Sequence, residues 1–202
     1  MFYDDLQLSE IVATRMSHDL IGNMGALSNA LELIADNDDA LDECSLSILK
    51  TATFTLNARQ KFFRLAFGVD SKKIEMATLK KICDDYLQTC TNRTDSFSLS
   101  FNGVRPEMAK FVCLGVMTAA EVCIRGGNIE ICINKDNMII SVSSAYNLSA
   151  VKIAIYEDVL KGAEIKDDVP QYAHLIYLRK LLGNEIKMQL ISDEKNMKIV
   201  IG

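Results

Sequence analysis

The chain has 202 residues, of which 49% are hydrophobic and 24% charged, and a formal net charge of -5. A chain of that length can bury one or two real cores. The acidic balance, with no Lys/Arg run, argues against a nucleic-acid partner. Six cysteines (Cys44, Cys83, Cys90, Cys113, Cys123, Cys132) form no C-x-x-C pair and sit among apolar residues, as reduced core thiols do. The two histidines lie far apart with no clustered ligands, which speaks against a zinc site. No charged-then-apolar leader and no apolar run of membrane-spanning length is present, so a soluble, cytoplasmic protein without membrane attachment is expected.

The first element is a long helix from Ser9 to Asn37. Met16, Leu20, Met24, Leu27, Leu31 and Ile34 recur at three- and four-residue steps and, at roughly 100° per residue, share a stripe about 80° wide. This stripe is expected to be the buried face. His18 points roughly 165° from its middle, which presents the imidazole to solvent or to a partner. Ile11, Thr14, Gly22, Gly25 and Asn29 lie within about 40° of His18 on that outer face. Each glycine costs a helix about 1 kcal/mol relative to alanine, a cost offset if another protein's backbone approaches closely there.

Asp36-Asn37-Asp38-Asp39 forms a polar break, and a second helix follows from about Leu41 to Phe67, stopped by Gly68. Two such helices make an antiparallel hairpin that cannot cover both of its apolar faces. Two copies packed as a four-helix bundle would, so a homodimer is expected.

From Val69 the pattern becomes mixed. Helical spacing covers Ala77 to Cys90, and Phe97-Ser98-Leu99-Ser100-Phe101 alternates as a strand. Pro106 opens an apolar helix reaching Ile124, ended by Gly126-Gly127. Strands at Asn128 to Asn134 and Met138 to Ser143 flank a tight turn. Helices are expected at Ala150 to Lys161 and Pro170 to Leu182, with a loop around Ile165 to Val169 between them. Strands at Ile186 to Ile191 and Lys198 to Ile201 close the chain. The fold class is α+β: a helical hairpin over 1–68, then an α/β sandwich over 69–202 with helices on one face of a sheet.

The His18-Asp19-Leu20 block inside a long dimerising helix, followed by a second helix and a compact α/β unit, resembles the sensor histidine kinases. Asn23 stands at that family's usual proline position. The kinase nucleotide motifs are missing. Thr118-Ala119 replace the magnesium-holding Asn-Ala, and Ser143-Ser144-Ala145-Tyr146-Asn147 replace Asp-x-Gly-x-Gly. Only Gly162 falls where a glycine-rich lid would be. The remainder is similar to the ChpT-like histidine phosphotransferases of alphaproteobacteria, most clearly over Arg15 to Leu33, with Arg125-Gly126-Gly127 in support.

That resemblance implies a degenerate ATPase-like domain that binds no nucleotide, and a phosphorelay role for the hairpin. His18 is the expected phosphoacceptor, Asp19 its orienting carboxylate, and Arg15 a cation able to steady phosphoryl charge. Ile11, Thr14, Gly22, Gly25 and Asn29 are the expected receiver-docking surface. The chain itself needs no cofactor in this reading; magnesium belongs to the partner receiver domain. The implied partners are the receiver of a hybrid histidine kinase upstream and response-regulator receivers downstream. The rival readings are a dimeric module that binds and sequesters receivers, and a divergent ATP-dependent kinase. His174, in Tyr172-Ala173-His174-Leu175, has no adjoining acid and is expected to be an ordinary surface or part-buried helix residue.

Overall fold

A computed structural model describes residues 3–36, 42–69, 74–91, 95–183 and 186–202. The fold is α+β. Two long helices, α1 (Asp5–Asp36) and α2 (Glu43–Phe67), pack along one another and are followed by α3 (Met76–Gln88). The chain then runs β1 (Phe97–Asn102), α4 (Ala109–Val122), β2 (Gly127–Ile133), β3 (Met138–Ser143), α5 (Ala150–Leu160), α6 (Ala173–Leu182), β4 (Met188–Ser192) and β5 (Asn196–Ile201). The expected polar turn at Asn37 to Asp39, and Leu41, lie outside the described residues.

The start of α2 is set by Asp42, whose side chain accepts from the Ser45 amide at 2.6 Å. Such a cap satisfies a helix N–H that has no intrahelical partner, worth about 1 kcal/mol. At the other end Gly68 does stop α2, but not through a left-handed turn, since its φ is -73°. Its amide donates to the Arg64 carbonyl at 3.1 Å, and a Cβ there would collide with that oxygen. Close approach, rather than positive φ, requires glycine at this position.

Both proline-led helices begin differently from expectation. Pro106–Met108 and Val169–Tyr172 are single 3-10 turns that hand over to α4 and α6. Proline supplies a suitable φ for such a first turn but no amide to bond within it.

The five strands form one sheet in the order β1-β2-β3-β5-β4. β1 and β2 are parallel, joined across α4, and the remaining pairs are antiparallel. Both tight hairpins are closed by a side chain acting as a turn acceptor. Asn134 Oδ1 accepts from the amides of Asp136 and Asn137, and Asp193 Oδ1 from those of Lys195 and Asn196. The second of these makes β5 start at Asn196, two residues earlier than the apolar pattern alone indicates.

The sheet's inner face (Leu99, Ile129, Ile131, Ile140, Val142, Met197, Ile199, Ile201) is buried against the helices, chiefly the apolar α4. Its outer face carries the exposed Ser98, Ser100, Asn128, Glu130 and Lys198. Helices therefore cover one face, as the strand alternation requires. Cys83, Cys113 and Cys123 are buried free thiols, whereas Cys44 is exposed, contrary to its expected core position.

The hairpin and the sheet unit share one continuous core. Phe62 of α2 stacks on Tyr86 of α3 with centroids 3.8 Å apart and planes 9° from parallel, and Phe67 meets Tyr177 of α6. Phe62 and Phe63 are fully buried. Truncating a buried aromatic of this kind costs about 3–5 kcal/mol, so the junction is a firm one.

The expected buried stripe of α1 is corrected by this packing. Its buried residues are Leu8 and Ala30, while Met24 and Leu31 of the apolar stripe are 56% and 59% exposed. On a helical wheel Leu8 and Ala30 lie roughly 115° and roughly 75° round from the middle of the stripe, on the same side of it. The chain's own interior meets α1 along the side that also carries Arg15 and Asp19. The apolar stripe is left straddling the edge of that contact.

Candidate functional site

His18 stands half-way along α1, and its side chain is 87% exposed. Asp19, one residue on, is turned inward and only 8% exposed. Its Oδ1 lies 3.6 Å from His18 Nδ1, just beyond hydrogen-bonding range. Its Oδ2 accepts from Arg15 Nε at 2.8 Å, with Arg59 of α2 a further 3.7 Å contact. The two oxygens therefore face different ways, one to a cationic interior and one to the exposed imidazole.

The local reason is helix geometry. Arg15 and Asp19 are four residues apart and share a face, whereas His18 is rotated roughly 100° from Asp19. Asn23, at the position where the resemblance described above leads proline to be expected, donates from its side chain to the Asp19 carbonyl at 3.1 Å, and α1 runs on unbroken to Asp36.

Arg15 is not presented to solvent as a clamp for phosphoryl oxygens. Its side chain is 11% exposed and all three nitrogens are engaged. Nε donates to Asp19, Nη1 to the Gln171 carbonyl at 3.1 Å, and Nη2 to Glu121 Oε1 at 2.6 Å. Glu121 also accepts from Lys152 of α5. Burial alone would raise the Glu121 carboxyl, but its cationic surroundings, the permanently charged Arg15 and Lys152 among them, hold it down at about 2. Arg15 is held above its already high range, because its two carboxylates outweigh the cost of burial.

The remaining predicted positions spread along the outer face of α1. Thr14 lines a cleft of about 430 Å³ with His18, Arg15, Asp19, Glu121, Asp168, Pro170 and Gln171. Gly22, Gly25 and Asn29 are exposed on the continuation of the helix toward its C-terminal end, and Ile11 is half-buried. At 1.5 Å per residue, Ile11 and Asn29 are roughly 27 Å apart, so the surface is long rather than compact. A Cβ on Gly22 or Gly25 would meet no atom of this chain within 4 Å.

The far wall of the cleft is the segment before α6. Tyr3 anchors it, donating from its hydroxyl to the Ile165 carbonyl at 2.9 Å and accepting from the Ile165 amide. Asp168, beyond it, is left-handed at φ 49°, the one positive φ at a non-glycine residue among the described residues.

His174 differs from expectation. It is fully buried, and its Nε2 lies 3.1 Å from the Tyr156 hydroxyl, itself 3.2 Å from the Thr118 carbonyl. Tyr156 satisfies both contacts by donating to Thr118 and accepting from the ring. That arrangement leaves Nδ1 as a bare acceptor, and it has no protein partner. Burial, with Arg15 and Lys152 in opposition to Glu121, lowers the imidazole to about 3, so it is neutral at ordinary pH.

Thr118, which the resemblance places where a magnesium-holding asparagine would be expected, is fully buried and spends its hydroxyl on the Leu114 carbonyl of its own helix. After β3, where the resemblance leads an aspartate to be expected, the Arg125 guanidinium lies over the Tyr146 ring, 4.0 Å from its centroid. Among the described residues, no three His, Cys, Asp or Glu side chains converge as metal ligands, and no helix is long and apolar enough to cross a membrane.

Sequence reading missed Glu121, Lys152, Arg59 and Gln171. Glu121 did leave a signal, as the sole charge between Phe111 and Ile124. Arg59, in Asn57-Ala58-Arg59-Gln60-Lys61, looks like any solvated helix residue.

No family model matches the chain. A curated relative, the protein phosphotransferase ChpT of Brucella abortus (strain 2308), is 25% identical over 133 residues. That alignment spans 62% of this chain and 60% of the relative. A solved structure described as a bacterial phosphotransferase superposes with a TM-score of 0.79, covering 100% of this chain and 98% of that one at 19% identity. The histidine kinase AdeS of Acinetobacter baumannii aligns over 91% of this chain and 95% of its own, at 13% identity and a TM-score of 0.45, too distant to argue from. This chain thus shares its fold with a solved structure described as a bacterial phosphotransferase and is similar in sequence to a ChpT phosphotransferase.

Proposed function

We propose that this chain is a histidine phosphotransferase of a two-component phosphorelay, with His18 as the phosphoacceptor. The observation that carries the reading is the pairing of a side chain 87% exposed with an 8% exposed carboxylate facing its Nδ1. With the Nδ1 proton turned toward Asp19, Nε2 keeps its lone pair and points outward. That nitrogen attacks the phosphorus of a receiver's aspartyl-phosphate. The P–O bond to the aspartate breaks, and its electron pair returns to the receiver carboxylate. The Nδ1 proton stays in place, and Asp19 stabilises the positive charge the phosphorylated ring acquires. Reversal toward a second receiver passes the group on.

Phosphoryl transfer rests mainly on positioning and charge stabilisation, so the receiver's own magnesium and lysine suffice alongside an exposed imidazole. The hairpin over 1–68 is the phosphotransfer unit in this reading, and 69–202 is the unit that braces it without holding nucleotide. The occupied Thr118 hydroxyl and the Arg125–Tyr146 stack support the latter. Thr14, Gly22, Gly25 and Asn29, with Ile11 at their margin, form the receiver surface.

The homodimer belongs to the same proposal. Leu6, Met24 and Leu31 are 56% or more exposed on one side of α1, roughly 130° round the helix from His18. A second copy packed there completes a four-helix bundle and leaves both imidazoles accessible.

The test is transfer from a pre-phosphorylated receiver domain, with no ATP present, to the wild type and to His18→Ala. Acid-labile label on the wild type alone supports the reading. Absence of label from several receivers that still bind would favour a sequestering module instead.

A further inference from the structure

We infer that Glu121, on the sheet unit, is a positioning residue for His18, acting by dividing the Arg15 guanidinium between two carboxylates. The inference rests on the phosphotransfer reading for its functional meaning, but its geometry stands apart from it. Arg15 offers Nε to Asp19 Oδ2 at 2.8 Å and Nη2 to Glu121 Oε1 at 2.6 Å. Nε and Nη2 are the two donors of one edge of the guanidinium. That edge matches both oxygens of a single carboxylate, which is why arginine–carboxylate pairs are so often bidentate.

Here the edge is shared, so Asp19 receives one bond and keeps Oδ1 free, 3.6 Å from His18 Nδ1. Without the Glu121 charge, Nη2 has no anionic partner other than Asp19. The guanidinium then swings fully onto Asp19, and Oδ1 is withdrawn from the imidazole. Glu121 is itself fixed from behind by Lys152, and Arg15 from the side by the Gln171 carbonyl. The Nδ1-facing carboxylate of the hairpin is therefore set by a residue 102 positions later in the chain, on α4. The sheet unit does more than stabilise the hairpin: it determines which oxygen of Asp19 the histidine meets.

The experiment is nitrogen NMR of His18 tautomers in the full-length protein, with transfer kinetics alongside, for wild type, Glu121→Gln, Glu121→Asp and Asp19→Asn. Glutamine keeps the shape and removes the charge; aspartate keeps the charge at shorter reach. Glu121→Gln is expected to move the Nδ1–H tautomer population toward that of Asp19→Asn, with Glu121→Asp intermediate. The maximal transfer rate falls about 10-fold while the receiver concentration at half-saturation stays within about twofold. If Glu121→Gln is too unstable to examine, a tautomer ratio in Glu121→Asp that lies between those of wild type and Asp19→Asn supports the positioning, and a wild-type ratio there overturns it. A wild-type ratio and rate in Glu121→Gln overturns the inference, and so does an Asp19→Asn spectrum identical to wild type. A tautomer shift in Glu121→Gln, in a protein that accepts phosphate from no receiver, retains the positioning and overturns the phosphotransfer reading.

Discussion

Asp19 divides its carboxylate between an exposed imidazole, 3.6 Å from Oδ1, and a buried guanidinium, 2.8 Å from Oδ2. One anion thus faces the imidazole on one side and compensates the guanidinium charge on the other. Asp19→Asn removes both. Transfer to His18 is expected to fall at least about 10-fold, equivalent to about 1.4 kcal/mol of lost transition-state stabilisation. Arg15 keeps Glu121 but loses a charge-assisted bond, which costs about 1.5–3 kcal/mol of stability. Single-turnover transfer and denaturant unfolding of the same variant measure the two effects separately; an unchanged transfer rate would remove Asp19 from the mechanism.

The glycines of α1 separate folding from docking. Nothing in this chain lies within 4 Å of a Cβ added at Gly22 or Gly25. Gly22→Ala and Gly25→Ala are therefore expected to stabilise the protein by up to about 1 kcal/mol each through helix propensity. The same substitutions are expected to weaken receiver binding, since the added methyl stands on the proposed docking face. Thermal melts and receiver titrations on each variant check the pair of effects. Stabilisation without loss of binding would move the docking surface elsewhere.

Acid sensitivity follows from the buried network. His174 is held at about 3 when folded, against an ordinary value of 6.5, so between those pH values the unfolded chain takes up a proton that the folded chain refuses. Stability is fully present above pH 6.5 and declines as pH falls toward 3. Glu121 acts in the same direction, being lowered from 4.5 to about 2, so its contribution is lost as pH drops from 4.5 toward 2. Each group adds at most about 1.4 kcal/mol per pH unit to the slope within its window. His174→Gln is expected to lower stability at pH 7.5 yet flatten the decline between pH 6.5 and 4.5. Urea unfolding across that range reads the slope directly.

The exposed apolar side of α1 predicts the assembly. Met24→Asp and Leu31→Asp place a carboxylate on residues that are 56% and 59% exposed in the single chain. Each is expected to leave the isolated fold within about 0.5 kcal/mol, as surface changes do, while converting a dimer to a monomer. Sedimentation velocity distinguishes the two masses. A wild type that sediments as a monomer would exclude the bundle.

Much of the fold was legible in the sequence because each element announces itself over a short stretch. The alternation at Phe97 to Phe101 and the turn residues around Asp136 and Asp193 needed no partner to be read. The histidine box was equally local: His18 and Asp19 are adjacent, and their facing directions follow from helix geometry alone.

What the sequence could not convey is where each helix face ends up. The apolar stripe of α1 marked a surface that avoids water, but not which protein covers it. The inward face instead holds Arg15 and Asp19, two charges that are buried only because Glu121 and Arg59 come to meet them. His174, with no acid beside it in the chain, is surrounded in space by Tyr156 and the Glu121 network. The sequence by itself determined the elements, the exposed His18 with Asp19 beside it in the chain, and the absence of the nucleotide motifs, since these depend on neighbours within a few residues. Only the tertiary structure decided that Arg15 is bridged across 106 residues to Glu121, because charge pairing in a buried site depends on distance in space and not along the chain.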